Sequence, residues 1–218
     1  MFLDFNNWEE YNGFSPGGGA SEKEWIINNI TKEIGLFKFP KTDNTYEHFS
    51  EKLASELANK IGLNSAKIDI GIYENRIGSI SYLINDPKYE ELREGIWLIY
   101  KNRPFYKREN LQDIESGDYY CLEMILEALN GYNLNKSFFE IMIFDYIIGN
   151  TDRHESNWAV LLSQQGVRLC PIYDNGSSLC CYLSDEKIMK NKNNTQWIKS
   201  VIDTKSRSRI RIDKKNSK

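Results

Sequence analysis

The chain has 218 residues, 40% of them hydrophobic and 27% charged, with a net charge of −3. That length builds one ample core or two small lobes, and the composition is that of a globular protein. No apolar run approaches the ~18 residues of a membrane span, and the first residues, MFLDFNNWEEYNGF, lack the basic n-region of a Sec signal.

In chain order, residues 1–12 are polar and aromatic. "GFSPGGGASEKEW" follows, a loop whose Gly17, Gly18 and Gly19 let the backbone turn freely and approach a ligand closely. "EIGLFKFPK" alternates around Phe37, Lys38 and Phe39 and predicts a strand ended by Pro40. "TYEHFSEKLASELANKIGLN" carries Phe49, Leu53, Leu57 and Ile61 at a spacing of four, which predicts a helix closed by Gly62. "AKIDIGIYENRIGSISYLI" predicts two strands turned at Glu74-Asn75. Residues 1–85 therefore read as a β-rich first lobe.

From 87 to 118 the pattern is weak and polar. "YYCLEMILEALNG" predicts a helix capped by Gly131. "NKSFFEIMIFDYIIGN" predicts another, apolar nearly all round and so expected to be buried. "NWAVLLS" and "VRLCPIYDN" predict a hairpin turned at Gln164-Gln165-Gly166, which completes a helical second lobe over 86–185. Residues 186–218 carry a local charge of +8 and leave −11 on the rest. With Trp197 as its one aromatic, this tail reads as solvated or partly disordered, and an acidic body argues against direct contact with nucleic acid. Cys121, Cys170, Cys180 and Cys181 form no CxxC and read as free thiols of a reducing cytoplasm. A secretion route that reads no Sec peptide stays open.

The informative stretch is "IIGNTDRHESNWAVLL", where Asp152, His154 and Asn157 fall between two apolar runs. A hairpin brings its ends together, so Asn157 and Asp174 are expected to converge. A carboxylate and an amide oxygen suit a hard cation such as Mg²⁺. Asp152, five residues before Asn157, would lie beside that cation and accept a proton from a substrate hydroxyl. The spacing D-x-x-x-x-N followed by "YDNG" is the division of labour in a protein-kinase catalytic loop. In the first lobe the glycine loop would lay N–H groups on phosphates, Lys38 would pair with them, and Glu51 would orient Lys38. Taken alone, the glycines read as a flexible turn, Lys38 as a half-exposed strand lysine, Glu51 as a solvated helix residue and His154 as a structural histidine. Asp152, Asn157 and Asp174 together exceed what a turn requires. The loop is neither a Walker A nor a Rossmann fingerprint.

With "GGGASEK", "FKFPK", "FSEKLASELANKIGLN", "IIGNTDRHESNWAVL" and "PIYDNGSSL" in that order, the chain resembles the HipA-like serine/threonine kinases, and within them the short CtkA-type proinflammatory kinases. The resemblance implies an α+β, two-lobed kinase-like fold and transfer of the γ-phosphate of ATP to Ser or Thr. It implies Asp152 as catalytic base, Asn157 and Asp174 as Mg²⁺ ligands, and His154 as an orienting residue. Gly17, Gly18, Gly19, Ala20, Ser21, Lys38, Glu51, Ser81 and Ile84 would form the ATP site, with Ser21, and less so Ser15, as sites of autophosphorylation. Family members continue with a helical region beyond the second metal-binding Asp. This chain ends 44 residues after Asp174, so the expected fold is C-terminally truncated. The implied partners are a Ser/Thr protein substrate and an antitoxin or a complementing C-terminal chain; no membrane is expected. A nucleotide-binding pseudokinase, a lipid or small-molecule kinase, and a metal-dependent hydrolase using Asp152, His154 and Asp174 are the competing readings.

Overall fold

The structure is a computed structural model that describes residues 2–16, 22–41 and 45–215. The chain divides into two compact units, and neither is continuous in sequence. One comprises Met1–Ile84 with Pro171–Ser206, the other Asn85–Cys170 with Arg207–Lys218.

In the first unit the strands are β1 (Leu3–Asp4), β2 (Glu9–Glu10), β3 (Lys23–Ile27), β4 (Ile34–Lys38), β5 (Ile68–Tyr73) and β6 (Arg76–Tyr82). They form one six-stranded sheet in the order β1-β5-β6-β4-β3-β2. All neighbours are antiparallel except β1 and β5. The tight turn between β5 and β6 places Glu74 and Asn75 in the left-handed region, at φ 50° and 60°, where asparagine is tolerated better than most residues. Phe37 on β4 packs edge-on against Phe5 and Phe39, within a cluster that includes Trp8, Ile26, Tyr73 and Ile80. Each such side chain removed from water contributes about 1.5–3 kcal/mol.

Helix α1 (Glu47–Lys60) packs on β5 and β6. Its buried face differs from the one its apolar spacing suggests. His48, Ser50, Glu51, Ala54, Ser55 and Ala58 are buried, whereas Leu53 is 58% exposed and Ile61 52% exposed. Small side chains allow the helix backbone to come close to its neighbours, and its hydroxyls then reach backbone carbonyls. Ser55 Oγ donates to Ala66 O at 2.6 Å, and Ser50 Oγ donates to Ser178 O at 2.9 Å.

Residues 171–181 are tied into this unit by backbone bonds. Ile172 N–H donates to Asn64 O, and Ala66 N–H donates to Ile172 O. Helices α5 (Asp185–Asn191) and α6 (Thr195–Lys205) follow. The basic segment beyond 186 thus carries regular structure. Asn194 caps α6 by accepting from Trp197 N–H at 3.0 Å, the local signal for a helix start.

The second unit holds β7 (Glu91–Glu94), α2 (Gly95–Asn102), β8 (Tyr106–Lys107), β9 (Gln112–Asp113), α3 (Leu122–Ala128), α4 (Asn135–Ile148), β10 (Ala159–Ser163) and β11 (Gly166–Leu169). Strand β10 lies between β11 and β7, antiparallel to both. The hairpin turns at Gln164-Gln165, with Ser163 opposite Gly166 at φ 125°. Phe138, Phe144 and Ile148 of α4 are buried with Met124, Ile125 and Trp158, but Ile143, Tyr146 and Ile147 of the same helix are exposed. The helix is therefore apolar on a face it does not bury, which overturns the expectation that it is buried all round. A Cβ on Gly95 would stand 2.2 Å from the Trp158 ring, so no larger residue fits at the start of α2. Among the described residues, no helix is long and apolar enough to cross a membrane.

Candidate active site

Helix α4 ends on Gly149, whose left-handed φ of 63° releases the chain into the loop 150–158. A buried ion pair shapes that loop. Arg153 is 1% exposed, and its guanidinium grips Asp145 of α4 with Nε–H on Oδ2 at 2.9 Å and Nη2 on Oδ1 at 2.8 Å. The third arm of the fork donates to Asn157 O at 2.5 Å. Asn150 Nδ2 donates to Asp145 Oδ1 at 2.9 Å, and Asp152 N–H donates to Asn150 Oδ1 at 3.0 Å. Asp145 thus anchors the loop at two points, in a bidentate arrangement that only a guanidinium supplies.

On this anchor, Asp152 and Asn157 are fixed relative to one another. Asn157 Nδ2 donates to Asp152 O at 2.7 Å, His154 N–H donates to Asp152 O at 2.7 Å, and Asn157 N–H donates to His154 O at 2.9 Å. The amide nitrogen of Asn157 is therefore occupied by the loop itself, and the oxygen is the end suited to a cation. His154 Nδ1 accepts from Ser156 N–H at 3.2 Å. The Asp152 carboxylate is partly exposed, and Arg209 Nε–H donates to its Oδ1 at 3.1 Å.

Glu155, fully buried, has Tyr106 Oη 3.4 Å from Oε2 and Arg108 Nε 3.4 Å from Oε1. Burial pushes its carboxyl above the usual glutamate value, and its own backbone N–H, His154 and Arg108 offset this only in part. A carboxyl whose folded value is raised costs no stability below its unfolded value of 4.5, where both states are protonated. The cost grows as pH rises from 4.5 to the folded value and is constant above it. Glu155→Gln is therefore expected to stabilise the protein at pH 7 and to leave it unchanged at pH 4. Urea midpoints at the two pH values check this; an equal effect at both would assign the change to packing.

In the first unit, Lys38 and Asp174 meet. Lys38 Nζ is 2.8 Å from Asp174 Oδ1, although 136 residues separate them. Burial alone would favour the neutral amine, but Asp174, then Glu51 and Glu47, overcome it and hold Lys38 above the ordinary lysine range. Asp174 sits in the left-handed region at φ 56°, a strained setting that surrounding bonds must enforce. Those bonds come from α1. Asn175 N–H donates to Glu51 Oε1 at 2.9 Å, Ser178 Oγ donates to Asn175 O at 2.6 Å, and Ser50 holds Ser178 O. Glu51, 3% exposed, thus anchors the residue after Asp174 and adds to the negative field on Lys38. A Cβ on Gly176 would stand 3.1 Å from Glu51 Oε2, which explains the small residue after Asn175.

Ser81 pairs with Leu36 and Ile68 in the middle of the sheet, and Ile84 is the last residue before the chain leaves the unit. Ser15 is exposed, and its carbonyl accepts from Trp25 Nε1–H at 3.1 Å. Gly17, Gly18, Gly19, Ala20 and Ser21 lie outside the described residues. Lys38, Glu51 and Asp174 are together in one unit, and Asp152, His154 and Asn157 together in the other. Sequence reasoning passed over Asp145, Asn150, Arg153 and Ser50. The signal available was Asp145 itself, an acid inside an otherwise apolar helix.

The residues present suit a hard cation with a phosphate. In the first unit Asp174 offers carboxylate oxygen, a donor Mg²⁺ takes, while Lys38 beside it keeps its charge for an anion. Among the described residues no group of three or more His, Cys, Asp or Glu side chains is placed to hold a metal ion.

Such a division of lysine, carboxylate and D-x-x-x-x-N loop is that of a kinase-like phosphotransferase. The chain matches the HipA-like C-terminal domain over residues 15–216 and belongs to that family. It is 25% identical over 193 residues to the serine/threonine-protein kinase CtkA of Helicobacter pylori, a match that spans 80% of this chain and 56% of that protein. The chain thus spans about half the length of this curated relative. It is also similar to the crystal structure of a Helicobacter pylori proinflammatory kinase CtkA, with a TM-score of 0.76, 25% identity and coverage of 92% of this chain and 69% of the other. The HipA, HipB and operator DNA complex of Shewanella oneidensis MR-1 aligns with a TM-score of 0.53 and 18% identity, over 79% of this chain and 46% of the other, a likeness of fold. These relatives support an α+β kinase-like fold and a kinase-like function.

Proposed function

We propose that the chain is an ATP- and Mg²⁺-dependent protein kinase that transfers the γ-phosphate of ATP to serine or threonine. The observation that carries this reading is the Lys38–Asp174 pair. A lysine that binds phosphate and an aspartate that binds the phosphate's metal must aim at one spot. Without that ligand, such opposite charges neutralise each other.

In this reading Lys38 holds the α- and β-phosphates, with Glu51 fixing the backbone beside Asp174. Asp174 and Asn157 hold Mg²⁺, which when bound neutralises charge on the phosphate oxygens. Asp152 orients the substrate hydroxyl and takes its proton. Arg153 and Asp145 hold Asp152 and Asn157 at a fixed separation, the positioning on which phosphoryl transfer depends. Ser81, Ile84 and residues 17–21 line the nucleotide, and Ser21 or Ser15 receives phosphate in autophosphorylation. In role, the unit of Met1–Ile84 with Pro171–Ser206 is the ATP-binding lobe and the unit of Asn85–Cys170 with Arg207–Lys218 the catalytic lobe.

Purified protein incubated with γ-labelled ATP and Mg²⁺ tests the reading, with label located by intact mass and fragment mapping. Wild type is expected to take label, and Lys38→Met to lose it by about 100-fold or more, the loss typical of one removed electrostatic group. ATP bound without label would instead select a nucleotide-binding protein without turnover. Label on lipid or a small molecule alone would select a kinase of another substrate class.

A further inference from the structure

After α6 the chain enters the second unit as residues 207–215, an irregular segment that bends at 209–210 and 212–215 and docks through an isolated bridge at Arg211. Arg211 bridges Cys121 in parallel, Arg211 N–H donates to Tyr120 O at 3.2 Å, Leu122 N–H donates to Arg211 O at 2.9 Å, and Tyr119 N–H donates to Lys214 O at 3.0 Å. Its side chains are matched as well. Ile210 is 7% exposed, the Arg211 guanidinium lies 3.6 Å from the centre of the Tyr119 ring, and Lys214 Nζ is 2.5 Å from Glu123 Oε1. Arg209 Nε is 3.1 Å from Asp152 Oδ1. Beside the segment a cavity of about 210 Å³ remains, lined by Glu109, Asn110, Leu111 and Tyr120 together with Arg209 and Arg211.

Backbone bonds hold a peptide of any sequence, and its side chains choose among sequences. Here those side chains are basic and their partners are carboxylates and an aromatic ring. The residue presented to Asp152 has no hydroxyl, and a guanidinium gives up no proton at physiological pH. We propose that residues 207–215 lie in the peptide-docking groove as a built-in pseudosubstrate, with Arg209 at the place of the phosphorylated residue. The substrates are then Ser/Thr peptides with a basic residue two positions and five positions after the acceptor, matching Arg211 and Lys214. This rests on the reading of Asp152 as the base. The Arg209–Asp152 pair is exposed to solvent, so it adds little to the bonds that hold the segment, and its loss shifts the competition with an added peptide only modestly.

The test uses the full chain and the ten-residue peptide SRSRIRIDKK, copied from residues 206–215, with serine in place of the arginine that corresponds to Arg209. In the expected reaction the oxygen of that serine bonds to the γ-phosphorus, the bond to the departing ADP breaks, and the hydroxyl proton passes to Asp152. Arg209→Ala in the full chain is expected to lower KM for this peptide by about 3- to 5-fold, the worth of one exposed ion pair, with KM for ATP unchanged. An unchanged peptide KM, or label on the serine that corresponds to Ser208, would overturn the docking register. If neither chain transfers phosphate to any acceptor, the kinase reading fails by itself, and binding decides the groove. A fluorescein-labelled SRSRIRIDKK peptide is expected to bind Arg209→Ala about 3- to 5-fold more tightly than wild type. Equal binding, or none, would overturn the proposal without reference to catalysis.

Discussion

Asp152→Asn is expected to lower phosphoryl transfer by about 10²–10⁴-fold, the range for removing a general base, while nucleotide still binds. The substitution is close to isosteric, so the loop should keep its shape. What holds that loop is the backbone of Asp152, whose carbonyl accepts from His154 N–H and Asn157 Nδ2 and whose N–H meets Asn150. Only the carboxylate chemistry changes, and with it the pair to Arg209. Single-turnover transfer from γ-labelled ATP, beside a titration with a fluorescent ATP analogue, separates the two effects. Wild-type turnover in the variant would place the base elsewhere. Joint loss of turnover and nucleotide affinity would mean that Asp152 acts on binding.

Asp145→Ala is expected to destabilise the protein by about 3–5 kcal/mol, the usual result of stripping one partner from a buried ion pair. Arg153 would remain 1% exposed without the carboxylate that grips it, and Asn150 would lose the acceptor for its amide. The urea midpoint should fall accordingly, and Arg153→Ala should fall by a similar amount. The double variant should lose much less than the sum of the two, since neither buried charge is then left alone. A strictly additive double variant would mean that the two residues stabilise the loop independently. Because the same guanidinium holds Asn157 O, the single variants should also weaken Mg²⁺-dependent activity beyond their effect on folding.

The sequence made the loop that carries Asp152 and Asn157 legible because its information is local. Asp152 and Asn157 lie within one short loop, and a fixed spacing survives translation into structure. Arg153 was missed because a lone arginine among polar residues reads as solvated. Its burial depends on Asp145, eight residues away and on a different element. Helix α1 was legible in extent but not in orientation. Hydropathy ranks Leu53 above Ser50, whereas the packing is decided by which side chains let backbones approach and which hydroxyls find carbonyls. Strands β1 and β2 have two residues each, too few for alternation to register. The Lys38–Asp174 bond joins residues so distant in sequence that no periodicity could signal it; only the order of the motifs pointed there.

The bonds from α1 to residues 174–178 also bear on the birth of the molecule. Ser50 and Ser178 are 128 positions apart, and Glu51 and Asn175 are 124 apart. A ribosome adding about 5–20 residues each second needs roughly 5–20 s to pass from residue 84 to residue 178. During that interval the nascent sheet carries a helix whose Glu51 and Ser50 still wait for Asn175 and Ser178. The first unit is thus started first but waits for residues 171–206, while the second already has most of the chain it needs before those residues emerge. Long-range closure of this kind is slow, and the half-made sheet is the species most exposed to chaperones and to wrong pairing.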